Sequence, residues 1–401
     1  MLLRVGLTIA FIATAGAGLA TGMLRDADSS AAPSRDWFAS ELESVGRHVA
    51  QQLALGQAQS DLNRQAQRIL RGAEPTTATV PFIRYSLRVA SSAQPTVEDL
   101  AAGRFQTSAV LRYRLPADPV TVGRTVDATF ALGRTGWRLA ALGDDGRELW
   151  DHETVQVVDS GRASVIGSTS LAARLPSLAD QVERARSQVA RFWTANWPAR
   201  VVVVLPGQAQ TMNPLIGNKS ASRLPAVTTW ERGPDGPVIR ITANPVVFLG
   251  LPAIAQQIVL RHEITHVAQD ALGARTAPIW LTEGLAEYVG YRGAGIPAAV
   301  VAGDALSQVR IGGVPASLPA DREFAFDRGS GQRSLVYEQG WAACQMVSAR
   351  YGEDRLIPFY QAVLKADGSG NARVDQAAKK VLGIDGETFV AQWQNWLLDN
   401  A

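Results

Sequence analysis

Cysteine is almost absent from this sequence, and its scarcity excludes whole classes of site. The chain of 401 residues has one cysteine, Cys344, so an internal disulfide framework and a metal or redox site built from several thiolates are both excluded. Lysine is scarce as well, since Lys219, Lys365, Lys379 and Lys380 are the only ones, and the arginines are scattered. With a formal net charge of +2, no basic stripe forms, and we predict that nucleic acid is not a partner.

The sequence does contain an ordinary share of core-forming residues. Hydrophobic residues make up 46% of the chain and charged residues 19%, which is typical of folded globular domains. A length of 401 residues exceeds what one hydrophobic core usually supports. We therefore expect at least two domains, with an α+β fold class overall.

The N-terminus has the features of a targeting segment. A positive start at Arg4 is followed by residues 5–24, which carry no charge. The small residues 13–17 suit a signal-peptidase site, while the length equally suits one transmembrane anchor. In both cases the positive start stays inside and the rest of the chain is exported, so we predict an extracytoplasmic protein, either secreted or membrane-anchored. Residues 1–25 are assigned to this segment and residues 26–36 to a polar linker.

Residues 37–150 are predicted to form an α+β accessory domain. Apolar residues recur at helical spacing between residues 37 and 70. The period then changes to two around residues 83–89 and 111–115, which is typical of half-buried antiparallel strands. Two more strands are expected at residues 120–132 and 137–142. This order of helices followed by a curved sheet resembles the nuclear-transport-factor-2-like domains, and the resemblance implies a cone-shaped fold.

Residues 151–401 are predicted to form a second domain, in which a sheet precedes a helical block. A helix capped by Ser177 is expected after the first strand, and everything beyond Leu251 is expected to be helix and loop. Strands are predicted at residues 163–166, 201–205, 226–230 and 237–242. This order places the chemistry at the junction of sheet and helices.

Two of the four histidines, His262 and His266, lie four residues apart in a segment of helical periodicity. On a helix both imidazoles project from one face, where they can bind one Zn²⁺ at about 2.0–2.1 Å. Glu263 would then lie beside the metal, in the position of a general base. Because helix packing alone does not require this spacing, we predict a zinc site.

A catalytic zinc needs a third protein ligand and an open position. The longer motif with a third histidine is absent, because Gln269 and Leu272 stand where its glycine and histidine would fall. A second helix is predicted from Pro278, with Glu283 and Glu287 one turn apart. A short connection lets the two helices pack antiparallel and brings Glu283 to the histidine pair. Glu287 would then lie within hydrogen-bonding reach of the outer nitrogen of a ligand imidazole.

The segments HEITHV and PIWLTEGLAEY resemble the gluzincin zinc peptidases, and most closely their peptidase-MA-like branch. The resemblance covers the C-terminal half and implies a zincin-like fold, one zinc per chain and Glu283 as the third ligand. It also implies that a tyrosine in a Tyr-x-x-Gly context hydrogen-bonds the oxyanion, and Tyr337, followed by Gly340, matches. The GxMEN-like segment of the aminopeptidase branch is absent, so nothing predicts an anchor for a substrate α-amino group.

These features predict a zinc-dependent peptidase that acts on a peptide or protein substrate outside the cytoplasmic membrane. An extended substrate is expected to pair with strand 226–230 or strand 237–242, and residues 303–331 are expected to wall the other side. The alternative is an exported binding or scaffold protein whose zinc only stabilises a domain. Three protein ligands instead of four argue against that alternative. Serine hydrolysis lacks support because no GxSxG elbow is present.

Overall fold

The computed structural model describes residues 80, 82–89, 102–133, 136–143, 147–197, 200–217, 224–233, 236–272, 277–325 and 330–401. Within these residues the protein is mixed α+β, with its strands concentrated before residue 244 and helices alone beyond it. The targeting segment, the linker and the helices expected between residues 37 and 70 lie outside the described residues. In the described part, no helix has both the length and the apolar character that crossing a membrane requires.

The chain divides into two compact units. Among the described residues, the N-terminal unit comprises those from 80 to 157 together with 230–238. The C-terminal unit comprises those in 158–229 and 239–401, and it contains every residue predicted to take part in catalysis or metal binding.

The N-terminal unit contains a four-stranded antiparallel sheet in simple sequence order. Its strands are β1 (Arg84–Val89), β2 (Arg104–Arg114), β3 (Val122–Gly133) and β4 (Gly136–Gly143). Successive side chains of a strand point to opposite faces of the sheet. On β2, Ala109, Leu111 and Tyr113 lie on the buried face, and the residues between them are partly exposed. The rings of Phe82, Tyr113 and Trp150 meet edge-on at 5.4–5.9 Å. The predicted antiparallel sheet is therefore present.

A second sheet has five strands in the order β5-β6-β7-β9-β8. Its strands are β5 (Val155–Ser160), β6 (Ala163–Ser168), β7 (Val201–Leu205), β8 (Ala226–Gly233) and β9 (Gly236–Ala243). Strand β7 is central and parallel to β6 and β9, which explains why all five of its residues are apolar and buried. Because β9 is interior and β8 lies at the edge, β9 is not free to pair with a substrate. Strand β5 was not predicted, because polar residues interrupt its apolar ones.

The described residues contain ten α-helices, and eight of them follow the last strand. Helix α1 begins at Leu175, so the predicted cap at Ser177 is wrong; Pro176 lies in the first turn, where its missing N–H costs nothing. The bounds are α1 Leu175–Phe192, α2 Ala209–Ile216, α3 Ala253–Asp270, α4 Ile279–Tyr291, α5 Ala298–Val301, α6 Gly303–Gly312, α7 Ser330–Tyr351, α8 Leu356–Lys365, α9 Gly370–Val381 and α10 Gly386–Asn400.

Helix α3 is the centre of the C-terminal unit. Every residue from Ile258 to Gln269 is buried, because α1 packs on one side of the helix and α4 on another. A helix buried all round has no solvent to satisfy its polar side chains. Each polar group on α3 must therefore find a partner inside the protein or on a ligand.

Helices α4 and α7 touch through their backbones at a pair of glycines. A Cβ atom on Gly284 would lie 2.3 Å from the carbonyl oxygen of Gly340, and a Cβ atom on Gly340 would lie 2.5 Å from that of Trp280. Real Cβ atoms do not approach backbone so closely, so glycine is required on both helices. The contact fixes the backbone of α4 relative to α7 at the residue that follows Glu283.

We predict that Gly284→Ala lowers the free energy of unfolding by about 1–3 kcal/mol or more, since the added methyl group forces the two backbones apart. Gly370→Ala is the control, because a Cβ atom at that first residue of α9 meets nothing within 4 Å. The control should be neutral or stabilising by up to about 1 kcal/mol. Urea denaturation of both variants measures the difference, and equal stabilities would show that the glycine contact is not constraining.

Candidate metal centre

The three predicted ligands lie on two antiparallel helices. His262 and His266 are one turn apart on α3, and Glu283 is on α4. The helices run in opposite directions, since Gly290 near the end of α4 lies against Ile258 and His262, while Thr282 near its start lies against Gln269. The predicted packing of the two helices is present, and it carries Glu283 back to the histidine pair.

The donor atoms of these three residues converge. The Nε2 atoms of His262 and His266 are 3.0 Å apart, and Oε2 of Glu283 lies 3.4 Å from each of them. All three residues are buried, with at most 1% of each exposed. Within the described residues this is the one group of three or more His, Cys, Asp or Glu residues spaced to hold a metal ion.

The residues fit a small divalent cation. Neither carboxylate oxygen of Glu283 receives a hydrogen bond, although the side chain is fully buried. The imidazole nitrogens at 3.4 Å are farther away than the 2.7–2.9 Å or so of a charge-assisted hydrogen bond. Ligand atoms held at about 2.0–2.1 Å around a tetrahedral ion lie about 3.4 Å from one another. A single ion at the centre would therefore satisfy a carboxylate that the protein leaves without a donor.

The electrostatics of the three groups favour a positive charge at this point. Burial lowers the pKa of His262 to about 4, so that imidazole is neutral. Burial also acts to lower the pKa of His266, but the carboxylates of Glu283 and Glu263 outweigh it and raise that pKa to about 9. Burial acts to raise the pKa of Glu283, and the charge of His266 outweighs it and holds the pKa at about 2. Glu283 is an anion facing one positive charge, which a metal ion can replace.

Glu263 lies beside the three ligands without joining them. It follows His262 on α3, and its Oε2 accepts a hydrogen bond of 2.6 Å from the hydroxyl of Thr228 on β8. The other oxygen, Oε1, has no hydrogen-bond partner. Burial raises the pKa of Glu263 to about 7, against the lowering effects of His266 and Thr228. Sequence reasoning missed Thr228, because a contact between residues 35 apart in the chain leaves no local signal.

Glu287 lies one turn beyond Glu283 on α4 and faces His262. Its Oε1 is 3.6 Å from Nδ1 of His262, which is longer than a hydrogen bond, and neither atom has another hydrogen-bond partner. Burial and the nearby charge of Glu283 raise the pKa of Glu287 well above its usual range.

Gln269 is the second residue that sequence reasoning missed at this site. It had been noted only because it stands where a longer zinc motif would have glycine. Its Oε1 lies 2.7 Å from Nδ1 of His266, and its Nε2 donates to the carbonyl oxygen of Thr282 at 2.9 Å. Gln269 is three residues from His266 on the same helix, and residues at that spacing are neighbours on a helix surface. This spacing could have predicted the contact.

Tyr337 lies on α7, one turn before the glycine contact with α4. It is buried, and its ring packs edge-on against Phe324 at 5.3 Å. The next residue, Glu338, accepts hydrogen bonds from the backbone N–H groups of Asp304 and Ala305 at 2.7 and 2.8 Å. Helix α6 is thereby attached to α7. The oxyanion role of Tyr337 and the position of residues 303–331 beside a substrate stay predictions.

Neither a comparison with known protein families nor one with curated protein sequences finds a match to this chain. The functional assignment therefore depends on the residues and geometry of the site.

We predict that the protein binds one zinc ion per chain and that His262→Ala, His266→Ala and Glu283→Ala each abolish tight binding, because two ligands hold the ion far more weakly than three. Metal content after dialysis, measured by mass spectrometry, reports the result. His152→Ala is the control, since that exposed histidine lies outside the cluster. Full zinc retention in Glu283→Ala would assign the third ligand elsewhere.

Proposed function

We propose that this chain is a zinc-dependent peptidase in which His262, His266 and Glu283 hold one Zn²⁺ and Glu263 is the general base. The observation that carries the proposal is the position of Glu263, which is buried beside the ligand cluster but is not part of it. Burying a carboxylate with one oxygen that has no hydrogen-bond partner costs free energy, and a structural metal site does not require such a group. A hydrolytic site requires such a group.

The ligand set supports zinc in a catalytic role. Two imidazoles and one carboxylate are a common set for catalytic zinc, whereas structural zinc usually has four protein ligands. Three protein ligands leave a fourth position for water. When bound there, zinc supplies a water of lowered pKa, about 7, and an electrophile that polarises the substrate carbonyl.

The two oxygens of Glu263 have different tasks in this mechanism. Thr228 holds Oε2, so Oε1 is the oxygen that accepts the proton of the attacking water. The water oxygen forms a bond to the peptide carbonyl carbon, and the bond from that carbon to nitrogen breaks. Glu263 then passes its proton to the leaving amine.

Strand β8 is the proposed binding edge for the substrate backbone. It is the last strand of its sheet, and its residue Thr228 contacts the general base. Residues 226–228 of β8 are buried, so an extended peptide would pair through main-chain hydrogen bonds with the partly exposed residues that follow them. Hydrogen exchange tests this: a peptide bound to the Glu263→Gln variant should protect β8, and protection confined to other elements would contradict it.

Three further proposals follow from the sequence. The C-terminal unit is zincin-like, which the buried metal-site helix α3 and the edge strand in contact with Glu263 support. The N-terminal unit is nuclear-transport-factor-2-like, which its four-stranded antiparallel sheet supports. Experimental structures of both units test these two assignments.

The protein is exported through its N-terminal segment. Mass analysis of the protein recovered from its host should find either a cleaved N-terminus or an intact N-terminus in the membrane fraction.

We predict that Glu263→Gln lowers kcat/KM for peptide hydrolysis by about 10²-fold or more while zinc content stays at one ion per chain. The amide keeps the shape of the side chain but cannot accept the proton. Glu387→Gln, an exposed change on α10, is the control and should leave activity unchanged.

Equal cleavage by Glu263→Gln and the parent protein would contradict the mechanism. If both proteins hold zinc and neither cleaves any peptide, the result would favour the alternative function, an exported binding or scaffold protein.

We predict that Tyr337→Phe lowers kcat by about 10²-fold with little change in zinc content, because it removes one hydrogen-bond donor to the oxyanion. The ring remains, so its packing on Phe324 is kept. Tyr351→Phe is the matched control: its hydroxyl lies at the end of the same helix, where it donates to Gln392. A kcat of Tyr337→Phe equal to that of the control would restrict Tyr337 to a packing role.

A further inference from the structure

We propose that Gln269 is a positioning residue that fixes His266 in the tautomer a metal ion requires and joins it to the helix that carries Glu283. The inference rests on the proposed metal site. It concerns how the ligands are oriented before an ion binds, and it is independent of which bond the protein hydrolyses.

The hydrogen bonds of Gln269 determine the orientation of its amide. A carbonyl oxygen can only accept, so the group 2.9 Å from the oxygen of Thr282 must be the NH₂. The amide oxygen is then the group 2.7 Å from Nδ1 of His266. The reverse orientation would place two carbonyl oxygens against each other.

The amide orientation in turn determines the protonation of His266. An amide oxygen can only accept a hydrogen bond, so Nδ1 of His266 carries a hydrogen. Nε2 is then the ring nitrogen left for a metal ion, which replaces the hydrogen that the charged imidazole carries there. It is also the nitrogen that faces His262 and Glu283, at 3.0 and 3.4 Å. Gln269 therefore holds the binding nitrogen towards the other two ligands.

The second hydrogen bond of Gln269 extends this effect from α3 to α4. Thr282, which accepts it, is the residue immediately before Glu283. One buried amide therefore sets the position of His266 and the position of the backbone next to the third ligand. Only 4% of Gln269 is exposed, so water does not compete effectively for either bond. A site whose ligands are held in place loses less entropy when it binds an ion.

The two ligand histidines are held differently. Nδ1 of His262 has no hydrogen-bond partner within the described residues, and Glu287 is 3.6 Å away. Nδ1 of His266 has Gln269 at hydrogen-bonding distance. His266 is thus the histidine that the protein orients in advance, and Gln269 is the residue that orients it.

The test measures zinc affinity of the full chain by competition with a chromogenic chelator. Gln269→Met removes both hydrogen bonds at similar volume and should weaken zinc binding by about 10–100-fold, the usual cost of losing a residue that orients a ligand. Gln257→Met is the matched control, since Gln257 is on the same helix and donates to the backbone oxygen of Gln181 instead. The control should bind zinc as the parent does.

Gln269→Glu separates orientation of the imidazole from packing. The carboxylate keeps an acceptor for the Nδ1 hydrogen of His266 but cannot donate to Thr282, so this variant should bind zinc more tightly than Gln269→Met. If Gln269→Met fails to fold, the zinc affinity of Gln269→Glu can still be compared with that of the parent. In the ¹⁵N spectrum of the metal-free protein, recorded at a pH high enough for the imidazole of His266 to be neutral, the single ring hydrogen should lie on Nδ1 in the parent. It should lose that preference in Gln269→Met.

Unchanged zinc affinity in Gln269→Met, equal losses in Gln269→Met and Gln257→Met, or a Gln269→Glu variant as weak as Gln269→Met would each overturn the inference. A parent protein that binds no zinc would instead refute the proposed function, and the ¹⁵N signal of His266 would still report on Gln269. A protein that binds zinc but cleaves no peptide would leave the inference standing.

Discussion

The structure of the C-terminal unit depends on one buried carboxylate without a hydrogen-bond donor. Glu283 is fully buried and faces two imidazole nitrogens at 3.4 Å. Burial of a carboxylate in this state is costly unless a positive charge compensates it. A metal ion shared with His262 and His266 is the partner that the geometry fits. The packing around the site keeps these three side chains together.

Helix α4 is held on several sides, and each contact helps to place Glu283. The glycine contact with α7 sets the distance between the two backbones. At the far end of α4, Arg261 of α3 donates to the carbonyl oxygen of Arg292 at 2.6 Å, and Arg292 forms a two-point ion pair with Glu353 at 2.6 and 2.7 Å. These contacts hold α4 against α3 and α7. The packing thus keeps the carboxylate of Glu283 beside the two imidazoles.

Local spacing in the sequence predicted which three residues converge, but not the polar residues Thr228 and Gln269 that contact Glu263 and His266. His262, His266 and Glu283 lie on two consecutive helices, so periodicity and a short connection were sufficient to bring them together. Thr228 could not be predicted, because its contact with Glu263 depends on the strand order β7-β9-β8, which does not follow the chain. The same order explains why β9 is interior although it was considered for substrate pairing. The cap at Ser177 was wrong because Pro176 allows the helix to begin earlier.

The central claim is that zinc held by this site hydrolyses peptides. Cleavage of a diverse peptide library by the purified protein, before and after treatment with a zinc chelator, tests it most directly. We expect cleavage that disappears with the chelator and returns when one equivalent of zinc per chain is added. Cleavage that persists without zinc, or no cleavage by a protein that holds its zinc, would contradict it.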